Sequence, residues 1–225
     1  MKFLSIDSSS RAASVALISD GNILGEFFVN NKLTHSQTLM KMTENLLSVT
    51  ETKMSDITAI VVTDGPGSFT GIRIGIAAVK GLALGADKLC IPVSSLEAVA
   101  YNFLGEKCII SVNLDARQNQ VYNAIFSAEG DRIERLTEDR AISAEALKEE
   151  LKQYDNVLLC GDGAYVVKAV CPEYRLAPEG KMYQKASSAA FAANKSLEKG
   201  VSPQSLVPKY LRLSQAERLR KKEEL

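Results

Sequence analysis

The sequence predicts an α/β fold in which one β-β-β-α-β lobe is followed by a second built to the same plan. Three observations predict it. Two apolar runs end in an acid, Phe3-Leu4-Ser5-Ile6-Asp7 and Cys108-Ile109-Ile110-Ser111-Val112-Asn113-Leu114-Asp115. Each acid is followed by a polar corner, another strand and a hairpin glycine, 14 positions on for Asp7 to Gly21 and 15 for Asp115 to Gly130. Each unit then closes on a nearly unbroken apolar run, Ile57 to Val62 and Val157 to Cys160, the pattern of a parallel strand covered on both faces.

In the first unit the corner Ser8-Ser9-Ser10-Arg11 leads into a strand over Ala13 to Ile18. Asp20-Gly21 marks a tight turn, because Gly accepts the positive φ that such turns need. Ile23 to Val29 supplies the returning strand. A helix follows from Ser36 to Val49, with Leu39, Met42, Leu46 and Leu47 at helical spacing and Thr34 or Ser36 as cap. In the second unit Val121 to Phe126, the Glu129-Gly130-Asp131 turn and a strand near Ile133 repeat the order. Ser143 caps a helix over Ala144 to Gln153. The last covered strand ends in Gly161-Asp162-Gly163. The boundary falls near Gly105, giving a first lobe over residues 1–104 and a second over 105–225.

The chain has 225 residues, 46% hydrophobic and 24% charged, enough for one large domain or two compact lobes with real cores. No apolar run is expected to reach the ~18 residues of a membrane span. The charge at Lys2 and Asp7 comes too early for a signal peptide, so the expectation is a cytoplasmic protein. Cys90, Cys108, Cys160 and Cys171 form no C-x-x-C pair and read as buried thiols rather than zinc ligands. Lys plus Arg equals Asp plus Glu, at 27 each. The basic excess of a chain that holds nucleic acid by itself is missing, and tRNA is expected to be served only indirectly. The basic run Arg218-Leu219-Arg220-Lys221-Lys222 is followed at once by Glu223-Glu224, which reads as a solvated tail.

The duplicated pattern resembles the actin-like ATPase fold (ASKHA, ribonuclease H-like). That resemblance implies corners that present an acid and glycines to nucleotide phosphates. Here the corners are Asp7-Ser8-Ser9-Ser10 and Asp115-Ala116-Arg117-Gln118. Neither contains Gly, which compromises close approach of backbone N–H groups to phosphate. Asp7 and Asp115 remain as a weak, degenerate pair for holding magnesium. No cofactor is expected.

The most informative stretch is Gly65-Pro66-Gly67-Ser68-Phe69-Thr70-Gly71-Ile72-Arg73-Ile74-Gly75. It follows a covered strand and opens a helix, a setting that favours anions through free N–H groups and the helix dipole. It lacks the Lys-Ser/Thr pair of a P-loop. As a whole string it resembles the signature of the TsaB (YeaZ) family, relatives of the proteins once called glycoproteases. The resemblance extends to Leu4-Ser5-Ile6-Asp7-Ser8-Ser9, to Asp115-Ala116-Arg117 with Val121-Tyr122, and to the ending Pro208-Lys209-Tyr210-Leu211-Arg212. It implies a non-catalytic subunit required for threonylcarbamoyl transfer to the adenosine beside the tRNA anticodon. Such a subunit scaffolds and activates a catalytic paralogue, TsaD, together with a P-loop ATPase, TsaE.

The resemblance also implies what should be missing. The catalytic paralogue carries Val-Asn-His-x-Glu-x-His after the equivalent helix, and its two histidines bind the active-site metal. Here the residues are Val93-Ser94-Ser95-Leu96-Glu97-Ala98-Val99, with Ser95 and Val99 at the histidine positions. His35 is the only histidine in the chain, so a metalloprotease reading fails. Ser68 sits in Gly67-Ser68-Phe69-Thr70-Gly71, not in G-x-S-x-G, and lacks a convincing base. An independent actin-like ATPase or kinase, or a peptidase, is the alternative enzyme reading. A tRNA-binding module using Arg212 and the basic tail is a third.

From Thr70 to Ala86 runs a helix of small side chains, with Gly71 and Gly75 four apart and Gly81 and Gly85 likewise. Each interior Gly costs about 1 kcal/mol relative to Ala, and close approach of another backbone would offset it. Residue spacing alone leaves two readings open: packing on the chain's own sheet, or an interface. The resemblance favours the interface, since the family pairs through the two first-lobe helices with itself or with the paralogue. It places His35, Leu39, Met42, Leu46, Gly71, Gly75, Ala78 and Leu82 at the contact.

Overall fold

The computed structural model describes residues 1–31, 33–194 and 197–212. The first sheet is built from β1 (Lys2–Asp7), β2 (Ala13–Ser19), β3 (Asn22–Val29), β4 (Ala59–Gly65) and β5 (Leu89–Ser94), in the order β3-β2-β1-β4-β5. The second contains β6 (Lys107–Asp115), β7 (Gln120–Glu129), β8 (Arg132–Arg135), β10 (Val157–Cys160) and β11 (Arg175–Leu176). Its order is β11-β10-β6-β7-β8, and β9 (Arg140–Ser143) pairs with the end of β7. Read from the hairpin side, the two orders are the same. β1 is antiparallel to β2 and parallel to β4, as β6 is to β7 and β10. This is the duplicated α/β arrangement expected from the sequence.

The helices start where the caps lie. α1 (His35–Val49) begins after Thr34, whose N–H is held by Gln37 Oε1 at 3.2 Å. α2 (Phe69–Ala86) begins after Ser68, whose Oγ accepts the Gly71 N–H at 3.2 Å. α4 (Ala144–Leu151) begins after Ser143, whose Oγ accepts the Ala146 N–H at 3.1 Å. Such contacts satisfy backbone donors that the first turn leaves without partners. α1 and α2 cover one face of the first sheet, around Leu4, Ile6, Val15, Ile60 and Val62. At 18 residues and a mean hydropathy of 1.4, α2 is long and apolar enough by length and composition to cross a membrane, although Arg73 and Lys80 interrupt its apolar run. Here Ile72, Ile76, Val79 and Ala83 bury it against the sheet.

Between the two sheets lie α3 (Ser95–Ala100) and α7 (Ala186–Asn194), in one core that runs from Phe3 and Val61 to Ile110 and Phe126. α4 and α5 (Ala164–Val170) cover the second sheet, and the short α6 (Glu179–Met182) leads back towards the first. α7 packs on β1 and β2 of the first sheet. The chain then returns there, where Val201 pairs with Cys90 at 2.9 and 2.8 Å and Lys209 N–H bonds Asp64 O at 2.8 Å. The sheets therefore divide near Gly105, whereas residues from Ala186 onward serve the first lobe as well as the second. Neither α7 nor β9 follows from the sequence patterns above. All four cysteines are buried and unpaired with one another. The basic run at 218–222 lies outside the described residues.

Candidate functional site

The corner after β1, the loop before α2 and the corner after β6 meet across a polar inter-lobe cleft of about 680 Å³. Its walls are Ser9, Ser10 and Arg11 from the first corner, Gly67 to Thr70 from the loop, and Asp115, Ala116, Arg117 and Asp162 from the second lobe.

The two acids expected to act as a pair do not share an environment. Asp115 lines the cleft, with Oδ1 accepting the Arg117 N–H at 2.7 Å and Oδ2 facing Arg117 Nε at 3.9 Å. Asp7 is 1% exposed and lies behind Ser9, whose N–H and Oγ both bond its Oδ1 at 3.0 Å. Gln184 closes the corner by taking the Ser10 hydroxyl at 2.8 Å and donating to Ser9 Oγ at 3.3 Å. Burial pushes the Asp7 carboxyl up from its ordinary value, against the lowering effect of the Ser9 bonds. Its Oδ2 and the neighbouring Thr63 Oγ1 make no hydrogen bond of ordinary geometry. Of the two acids expected to pair on magnesium, Asp115 lines the cleft and Asp7 lies buried behind Ser9. The second acid in the cleft is instead Asp162, whose Oδ1 accepts the Asp115 N–H at 3.0 Å and whose carboxyl is likewise raised by burial.

Glycine is missing from both corners, as read from the sequence, but each corner receives glycines from a neighbouring loop. A Cβ on Gly67 would fall 2.2 Å from Ser9 O, and one on Gly163 would fall 2.8 Å from Asp115 N. The second corner makes its own turn with three successive left-handed residues, Arg117, Gln118 and Asn119 (φ 65°, 57° and 55°). Left-handed backbone costs about 1–2 kcal/mol for each such residue, so this corner is strained.

The string Gly65 to Gly75 serves packing. Gly65, Pro66 and Gly71 are buried, and Gly65–Pro66 is a cis peptide. Ser68 caps α2 and Thr70 is exposed. Phe69 stacks on Tyr210 with ring centroids 4.1 Å apart, and Arg73 lies over both rings while its Nε bonds Tyr210 Oη at 2.7 Å.

The expected partner interface needs a larger correction. Leu39, Met42 and Leu46 are core residues of this chain, packed beneath α1. Gly71 and Gly75 face inward against Ser8. His35 is half-buried and its Nε2 bonds Ser10 O at 2.8 Å, tethering α1 to the first corner. Ala78 and Leu82 are only partly exposed. The outward stripe of α2 is instead Ala77, Gly81, Leu84 and Gly85, and α1 exposes Met40, Lys41 and Glu44. A Cβ on Gly81 or Gly85 would meet nothing within 4 Å. This phase follows from the rule that a helix turns its apolar stripe inward; applied to Leu39, Met42 and Leu46, it would have excluded them.

Ser95 and Val99, expected from the resemblance to stand where the paralogue has its histidines, are fully buried, and Glu97 pairs with Arg135 at 3.4 Å. Among the described residues, no three His, Cys, Asp or Glu side chains converge in a way that could hold a metal.

Residues 22–219 match the family described as TsaD: tRNA N6-adenosine threonylcarbamoyltransferase. The tRNA threonylcarbamoyladenosine biosynthesis protein TsaB of Bacillus subtilis is 30% identical over 223 residues, 96% of each chain. The protein of that name from Escherichia coli is 35% identical over 157 residues, 68% of this chain and 67% of that one. Among solved structures, YeaZ from Pseudomonas aeruginosa has a TM-score of 0.81 over 93% of this chain and 99% of that one. At 24% identity, this is a likeness of fold.

Proposed function

Because the chain belongs to the TsaB family of tRNA threonylcarbamoyladenosine biosynthesis proteins, we propose that it serves as a non-catalytic docking subunit for a TsaD-type transferase. The observation that carries this reading is the outward face of α1 and α2. Gly81 and Gly85 leave open backbone on α2, where Ala77 and Leu84 are also exposed, and α1 exposes Met40. Another helix can come close to such a stripe and bury Leu84 in doing so. A second copy of the chain could use the same face, which makes homodimer and heterodimer competing states. Cytoplasmic residence and cooperation with a TsaE-type ATPase belong to the same proposal.

The enzyme reading has one point in its favour, the match to a family described as a transferase. Against it stand the serine and valine at the paralogue's metal positions and the burial of Asp7. An acid sealed behind Ser9 does not reach a ligand in the cleft.

The test is co-purification with the TsaD-type protein of the same organism, comparing wild type with Gly81→Trp. Threonylcarbamoyladenosine in total tRNA is measured in cells that carry only the variant. Loss of the complex and of the modified nucleoside, with the variant still folded, supports the docking reading. A variant that binds and supports modification like wild type places the contact elsewhere.

A further inference from the structure

The ending Pro208 to Arg212 is not used by the docking reading, and its contacts are divided between the lobes. On the first lobe, Lys209 N–H bonds Asp64 O at 2.8 Å, and the Tyr210 ring stacks on Phe69 while its hydroxyl accepts from Arg73. Gly65 has φ +128°, and a Cβ there would fall 2.3 Å from Lys209 O, so the strap is seated on backbone. On the second lobe, Arg212 Nη1 donates to Ala116 O at 2.8 Å, and Lys209 Nζ lies 3.6 Å from Asp139 Oδ2. The Asp139 side chain is only 2% exposed and also accepts the Ser94 hydroxyl at 2.7 Å and Arg135 at 2.5 Å. Phe69 and Ala116, the residues gripped by Tyr210 and Arg212, are opposite walls of the cleft.

We propose that residues 208–212 form an inter-lobe clasp that holds the cleft at a set width. The core around α3 and α7 joins the lobes on one side, and the clasp ties them at the mouth. Tyr210 is the first-lobe anchor; Arg212 and Lys209 are the second-lobe anchors. A further attachment away from the core adds to the restraint on rotation of one lobe on the other that the core and the Ser94–Asp139 and Glu97–Arg135 contacts already give. Because Phe69 and Arg73 belong to α2, the clasp also links cleft width to the helix that carries Gly81 and Gly85. The proposal stands independently of any partner.

Single-molecule energy transfer tests it on the full chain. Dyes go to Asn30→Cys, exposed after β3, and to Glu145→Cys, exposed in the first turn of α4. The four native cysteines are buried and compete little for the label. Wild type is expected to give one narrow distribution. Tyr210→Ala combined with Arg212→Ala is expected to give a broader one at lower transfer efficiency, with circular dichroism unchanged. Tyr210→Phe, which keeps the stack, should stay near wild type. Should the double variant fail to fold, Arg212→Ala alone removes one surface contact and is expected to broaden the distribution in the same direction. Distributions that match wild type in the folded variants overturn the clasp.

Discussion

Gly75 of α2 lies so close to Ser8 that a Cβ on it would fall 2.3 Å from the Ser8 Oγ. That hydroxyl in turn donates to Gly71 O at 2.9 Å, so the corner after β1 and the first turns of α2 form one packed unit. Gly75→Leu therefore tests folding and not docking. It is expected to destabilise the chain by about 1–3 kcal/mol through overpacking. Gly81 has open space around it, and Gly81→Leu is expected to gain up to about 1 kcal/mol of helix propensity. Thermal denaturation of the two variants separates the cases. A Gly75→Leu protein that melts like wild type would show that the corner does not pack on the helix in this way.

Asp7 offers a second test, because its buried Oδ2 and the neighbouring Thr63 hydroxyl make no hydrogen bond of ordinary geometry while Oδ1 takes both Ser9 bonds. In Asp7→Asn the amide oxygen can keep the Ser9 bonds, and the new NH2 group can serve Thr63. The substitution also removes a carboxyl whose ionised form is penalised by burial. The variant is expected to be at least as stable as wild type at pH 7 and to support normal levels of threonylcarbamoyladenosine. Loss of the modified nucleoside with the fold intact would instead revive a chemical role for the carboxylate.

These two residues show how far the sequence could be read. The duplication was legible because acid-ended strands, hairpin glycines and covered strands recur in one order, and the caps at Thr34 and Ser143 were legible because capping is local. The phase of α2 was not. Gly71/Gly75 and Gly81/Gly85 have the same spacing, and what separates them is Ser8, more than sixty positions earlier. Asp7 and Asp115 likewise look alike as acids at strand ends. Only Gln184, brought back by the later chain, seals Ser9 and Ser10 over the first and leaves the second open. α7 escaped notice because Ala186 to Ala193 is almost uniformly small, with no polar face to give a period, and is buried nearly all round.

The second lobe holds a buried polar network whose hub is Asn123. Its amide donates to Ser111 Oγ at 3.2 Å, Val112 O at 3.1 Å and Asn113 Oδ1 at 3.0 Å, and its oxygen accepts from Arg140. Arg140 is held in turn by Glu150 at 2.8 Å. Asn123→Ala takes a donor from Ser111 Oγ, Val112 O and Asn113 Oδ1 and an acceptor from Arg140; Ser111 and Asn113 keep their bonds to each other and Arg140 keeps Glu150, and each buried bond lost without replacement costs about 1–3 kcal/mol. A destabilisation of at least about 2 kcal/mol in urea denaturation is expected. A smaller value would mean that the network rearranges around the gap.

Asp64 gives the chain a pH dependence of predictable sign. Its carboxyl is raised to about 7, chiefly by burial and further by Asp139, with Lys209 pulling the other way. Ser94, Glu97, Arg135, Glu138 and Lys199 line the same pocket, so the local charge is mixed. In the unfolded chain the same carboxyl titrates near 3.8, and the native state therefore holds the proton over a wider range. The stability this gives is fully present below about pH 4 and is lost as pH rises towards 7. Asp64→Asn removes the titration, and its advantage over wild type should grow across that interval. Because the site is partly open to solvent, the gain is expected to be on the order of 2 kcal/mol by pH 8, less than the full shift would imply. Urea denaturation of both proteins at pH 5 and pH 8 reads the difference directly. An advantage that is equal at the two pH values, or larger at pH 5, would mean that Asp64 ionises in the folded chain much as it does in the unfolded one.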